Sequence, residues 1–126
     1  MPSSEKSPDK KPDRTKRGRT FENLAAEFYI GRGFTVLERN WRAGHKEIDL
    51  IVRNDTVVVF VEVKASFSKK FGHPAERIDR RKIENLSEAA RRYIAEHDIA
   101  GIDVRFDVIT FDGGELEHYP NAFPAV

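Results

Sequence analysis

The chain of 126 residues is 39% hydrophobic and 34% charged, and its 22 Lys and Arg against 21 Asp and Glu leave a formal net charge of +1. That length suits one domain with its own core, and the absence of cysteine excludes disulfide frameworks, thiolate nucleophiles and zinc ribbons. The longest apolar run, Val57 to Val61, is far too short to span a bilayer, and no apolar stretch follows the charged N-terminal segment. No secretory signal is therefore expected, and the chain reads as a cytoplasmic protein.

The net charge hides an uneven distribution. Residues 1–19 carry seven basic residues against Glu5, Asp9 and Asp13, a local net of +4, so the remaining chain holds 15 basic and 18 acidic residues, a net of −3. A Pro/Ser/Lys-rich segment of this kind buries too little to offset its ordering entropy, and 1–19 is expected to be a disordered basic arm preceding a single domain, 20–126. The arm reads equally as a phosphate-binding tail and as a solubilising one.

Phe21, Leu24, Ala25 and Phe28 recur at helical spacing, which predicts a helix over Thr20 to Arg32 ended by Gly31 or Gly33. Phe34 to Trp41 alternates as a strand. Lys46 to Val52 and Val57 to Lys64 are β-rich and joined by a hairpin turn centred on Asn54-Asp55. Ala65 to Pro74 reads as a loop. Asp79 is a good N-cap for a helix with Ile83, Leu86, Ala90, Tyr93 and Ile94 on one stripe. Val104 to Phe111 and Glu115 to Tyr119 are the last strands, and Phe123 is expected to dock back on the domain. The order α-β-β-β-α-β plus one strand predicts an α/β or α+β fold, a mixed sheet flanked by helices.

Strand alternation places Val58, Phe60, Glu62 and Lys64 on one face, so two charged groups follow two apolar ones on a strand covered on both sides. The preceding strand sets Ile48 and Leu50 on one side and Glu47 and Asp49 on the other. A turn centred on Asn54-Asp55 would put Glu47 opposite Glu62, with Asp49 diagonal to it. Like charges about 4 Å apart repel by roughly 4 kcal/mol near a protein surface. A cluster of this kind needs a cation or a shared proton, and hard divalent ions take carboxylate oxygens. With Lys64 to handle a water, these residues suit metal-assisted hydrolysis of a phosphodiester. The alternative is that Lys64 neutralises Glu62 while Arg53 or Arg42 pairs the other acids. Eight basic residues between Ala65 and Arg92 (Lys69, Lys70, Arg77, Arg80, Arg81, Lys82, Arg91, Arg92) offer a backbone-gripping surface or an ordinary solvated helix face. His45 and His73 have no metal-ligand spacing. Trp41 reads as core, while Phe67 and Phe71 fit either base stacking or packing.

The segments GHKEIDLIVRNDTVVVFVEVKA, FGHPAERIDRRK and RFDVI, in this linked order, resemble the YraN family, small bacterial proteins regarded as endonuclease-like. That family is similar to the PD-(D/E)xK restriction endonuclease-like and Holliday-junction resolvase-like fold, whose core order is also α-β-β-β-α-β. The resemblance implies that Asp49 and Glu62 ligate Mg²⁺ or Mn²⁺, that Lys64 positions the attacking water, and that Glu22 in GRTFENLA completes the catalytic site. It implies a phosphate contact for Lys82, DNA more than RNA as partner, and a homodimer as in resolvase-like relatives. Lys46 before the EIDL acid and Ser66 after the VEVK lysine depart from the family's usual Gly and Arg, which bears on substrate contacts. Competing expectations are a catalytically silent nucleic-acid-binding module of the same fold and a protein-interaction adaptor.

Overall fold

The computed structural model describes residues 14–65 and 78–125, with side chains from Thr20 onward. The elements are α1 (Arg14–Ile30), β1 (Thr35–Ala43), β2 (Lys46–Arg53), β3 (Val57–Lys64), α2 (Arg80–Glu96), β4 (Asp103–Asp112) and β5 (Glu115–Tyr119). They form an α/β fold with a five-stranded sheet of order β1-β2-β3-β4-β5. Among the described residues only β3 and β4 pair in parallel, because α2 carries the chain between them; the other pairs are antiparallel. The core order is the α-β-β-β-α-β of the restriction endonuclease-like expectation.

The helices cover opposite faces. Ala25, Ala26 and Tyr29 of α1 pack on Leu50, Val52, Val59, Val61, Ile109 and Phe111. Leu86, Ala89, Ala90 and Tyr93 of α2 pack on Ile48, Ile51, Val58, Phe60, Phe106 and Val108. Strand β3 is thus sandwiched, as its two-sided apolar run predicts. No helix among the described residues is long and apolar enough to cross a membrane.

Helix α1 begins at Arg14 rather than Thr20, so 14–19 of the basic segment is helical; residues 1–13 lie outside the described residues. Lys and Arg are good helix formers, and propagating an anchored helix costs little compared with nucleating one. Its buried stripe also differs, with Ala26 and Tyr29 inside and Leu24 41% exposed. Beyond Ile30 the helix is closed by Gly33 (φ +89), with Gly33 N–H donating to Ile30 O and Phe34 N–H to Tyr29 O. This left-handed cap is completed by Phe34 against the Tyr29 ring at 5.4 Å. Asp79 caps α2 as predicted, accepting from Lys82 N–H at 2.9 Å.

The β2–β3 turn corrects the expected register. Asn54 Oδ1 accepts from the Thr56 and Val57 N–H groups at 2.9 and 3.0 Å, which makes Asn54 the first residue of the turn and Asp55-Thr56 its centre. The ladder therefore pairs Arg53 with Val58 and Leu50 with Val61. The expected sides of β2 are corrected too: Ile48 and Ile51, three residues apart, both belong to the α2 layer, whereas Leu50 belongs to the α1 layer. Regular alternation breaks between them, at Asp49. Opposite it on β1, between the Arg39–Leu50 and Trp41–Ile48 pairs, Asn40 sits at φ +52, a conformation Asn tolerates better than most residues.

At the C-terminus Phe123 does dock back, 5% exposed and stacked on Phe106 at 5.2 Å. Trp41 packs edge-on against Tyr93.

Candidate functional site

Beyond the Leu50–Val61 pair the β2–β3 ladder ends. There Asp49 Oδ2 accepts the Val63 N–H at 2.9 Å, so a side chain receives the donor that a continuing ladder would send to a β2 carbonyl. The break in β2 thereby brings the Asp49 carboxylate to β3 beside Glu62. Glu47 is not opposite Glu62 as the sequence suggested; it pairs with Arg42 at 3.6 Å, one of the two arginines expected to neutralise the acids.

Burial first and then the Glu62 carboxylate push the Asp49 carboxyl up to about 7, against the Val63 N–H, which favours the ionised form. Glu22 and Glu47 raise it further. The Glu22 contribution places the first helix's glutamate electrostatically with the site, although Glu22 lies on the opposite helical layer from Lys82.

Glu62 is 9% exposed, and its Oε2 lies 3.3 Å from Lys82 Nζ in the first turn of α2. The ion pair of Glu62 is thus with Lys82 and not with Lys64. Lys64 is half-buried at the end of β3 and pairs in the ladder with Thr110. Thr110 is fully buried, and its hydroxyl finds no hydrogen-bond partner among the described residues. By alternation from Val108 it shares the α2 face with Glu62 and Lys64. Nothing in its sequence context marks it.

Asp49 and Glu62 thus meet at one end of β3, where Lys64 follows Glu62 on the same face, with Glu22 within electrostatic reach of Asp49 and Lys82 on Glu62. Arg80 and Arg81 are exposed in the same turn as Lys82, Arg80 being paired with Glu84 at 3.1 Å. Lys69, Lys70, Phe67, Phe71 and His73 lie outside the described residues. Among the described residues no three His, Asp or Glu side chains are gathered closely enough to hold an ion by themselves. Two carboxylates with oxygen donors suit a hard divalent ion that retains waters, as Mg²⁺ commonly does. A shallow depression lined by Gly33, Thr35, Arg53, Asn54 and Asp55 lies at the other end of the sheet and contains none of these residues.

A second polar centre escaped the sequence reading. Asp107, fully buried on β4, receives the Tyr29 hydroxyl (2.8 Å), Arg105 Nε (2.8 Å) and an Arg105 terminal nitrogen (2.9 Å). His118 Nε2 (2.8 Å) and the Asn121 N–H (2.9 Å) complete its shell. Burial alone would raise this carboxyl, yet the hydrogen bonds from His118, Arg105, Asn121 and Tyr29 hold it at about 2. The network fastens α1, β4, β5 and the C-terminal turn together. Alternation within RFDVI gives Asp107 an inward place, but its partners come from 78 residues upstream and 11 and 14 downstream.

Two solved structures bear a distant likeness at 16% identity. One is Pyrococcus furiosus SfsA in complex with Ca²⁺ (TM-score 0.36, covering 86% of this chain and 64% of that one). The other is the CdiA-CT/CdiI toxin and immunity complex from Burkholderia pseudomallei (TM-score 0.39, covering 95% and 97%). Sequence relatives are nearer. The UPF0102 protein of Sulfurihydrogenibium sp. strain YO3AOP1 is 40% identical over 111 residues, covering 88% of this chain and 96% of its own. That of Persephonella marina is 36% identical over 107 residues, covering 85% and 92%. The model of the uncharacterised protein family UPF0102 matches residues 21–111, which include Glu22, Asp49, Glu62, Lys64, Lys82 and Asp107, and the chain belongs to this family.

Proposed function

We propose that this chain is a divalent-metal-dependent nuclease that hydrolyses phosphodiester bonds of DNA, branched or damaged DNA being the substrates to try first. The observation that carries the reading is the Asp49 carboxylate, turned onto β3 by the break in β2 and held beside the nearly buried Glu62. In this reading Asp49 and Glu62 hold Mg²⁺ or Mn²⁺, which supplies Lewis-acid stabilisation of the charge developing on the phosphate. Lys64 donates to the attacking water and orients it, and Glu22 adds a further carboxylate from α1. Arg80 and Arg81, with Lys69 and Lys70 of the basic segment, hold the phosphate backbone.

The test is incubation with Mg²⁺ or Mn²⁺ and single-stranded, nicked and four-way-junction DNA. Cleavage by the wild type, abolished in Asp49→Asn and Lys64→Ala, is the expected result; cleavage that persists in both variants sinks the assignment. The Lys82–Glu62 ion pair favours a second reading, a nucleic-acid-binding module without turnover. It expects salt-sensitive binding indifferent to Mg²⁺ and weakened by charge reversal at Arg80 and Arg81. Failure to bind any nucleic acid at physiological salt points instead to an adaptor whose acidic patch takes a basic protein partner.

A further inference from the structure

We infer that Lys82 is an exchangeable counter-ion: it neutralises Glu62 while the site holds no divalent ion, and passes to a DNA phosphate when an ion takes Glu62. The inference rests on the nuclease reading of the site.

Glu62 is nine-tenths buried, and among the described residues Lys82 is its one ion-pair partner, at 3.3 Å. A carboxylate so placed beside Asp49 needs positive charge, and a buried acid left unpaired is costly. Lys82 is built to give that charge up. Its backbone is fixed, since its N–H is bound by Asp79 Oδ1 at 2.9 Å, while its side chain is 46% exposed on a flexible four-carbon stem. The first turn of a helix disfavours a cation and favours an anion. The ammonium is therefore held there by Glu62 and not by α2, and an arriving phosphate would be welcome to both the lysine and the helix end. The exposed Arg81 flanks it, whereas Arg80 is already engaged with Glu84. Ion and lysine compete for the charge of one carboxylate, and the ion's arrival frees a cation for the substrate. Metal loading and DNA binding are thereby coupled through a single side chain.

The experiment measures Mn²⁺ binding to the full chain by electron paramagnetic resonance, and DNA binding by fluorescence anisotropy in Ca²⁺ and in EDTA. K82M is expected to bind Mn²⁺ about fivefold tighter than wild type, the scale of one partly exposed ion pair. It should bind DNA more weakly in Ca²⁺ but like wild type in EDTA, while K82R, which keeps the cation, stays near wild type in Mn²⁺ affinity. K82Q replaces K82M if the latter melts below the assay temperature. Unchanged Mn²⁺ affinity in the neutral variant, or an equal loss of DNA affinity in Ca²⁺ and EDTA, overturns the exchange. If wild type binds Mn²⁺ and D49N does not, that failure leaves the nuclease reading standing. If wild type and K82M alike bind no Mn²⁺, both fall together.

Discussion

Asp49 holds the Val63 N–H at 2.9 Å where strand β2 parts from β3. One carboxylate oxygen thus substitutes for a missing sheet partner, which anchors the side chain while its acidity is disturbed by its neighbours. An ordinary surface aspartate has neither constraint.

Its first consequence is for stability against pH. The folded carboxyl titrates at about 7, above its unfolded value, so the native state binds the extra proton between roughly pH 4 and 7 and stability falls as pH rises through that window. Asp49→Asn removes the charge. Thermal melts should show the variant stabilised over wild type at pH 8 and little changed at pH 5. A variant less stable at pH 8 than at pH 5, relative to wild type, would contradict the crowding of acids.

A divalent ion that binds the folded state alone raises stability by about 2.7 kcal/mol at a hundred times its Kd. Mg²⁺ or Mn²⁺ is expected to raise the melting temperature of the wild type at pH 8, with EDTA reversing the shift. Asp49→Asn and Glu62→Gln should each lose most of it. A shift retained in both variants would place the ion elsewhere.

Asp107 predicts the opposite pH behaviour. Its folded carboxyl is held at about 2, below the unfolded value, so its contribution of about 2 kcal/mol is complete above pH 4 and disappears as pH falls towards 2. Asp107→Asn is expected to cost about 3 kcal/mol near neutrality, because Arg105 loses a buried partner. Acid-denaturation curves measure both effects, and a variant that matched the wild type at pH 7 would show the network to be ornamental.

Thr110 carries a buried hydroxyl without a partner among the described residues. Replacing such a group with an apolar one of the same shape recovers its desolvation cost, about 1 kcal/mol or more. Thr110→Val is therefore expected to melt higher than wild type. A variant that melts lower would show the hydroxyl to be engaged in the folded protein.

Much of this arrangement was legible in the sequence because it follows from short-range regularity. The strands of β2 and β3, the Asp79 cap and the placement of Glu62 and Lys64 on one face all rest on periodicity or a local cap. The errors arose where regularity breaks. Asn54 leads the turn through its side chain instead of occupying its centre, which moved the register by two residues. The irregularity at Asp49 then put Ile48 and Leu50 on different layers. Lys82 and Asp107 depend on partners distant in sequence, and no spacing rule announces those. The net charge is uninformative for a related reason, since what matters at Glu62 is one lysine 3.3 Å away.

The Asn54 turn has one more consequence. It lies at the far end of the hairpin from the acids, yet its length determines which residues meet there. Deleting or adding one residue between Asn54 and Val57 would slide β3 along β2, turning Glu62 away from Asp49 with both carboxylates intact. The turn thus sets the spacing between the two acids, and a length change in this loop would part them as surely as removing a carboxylate.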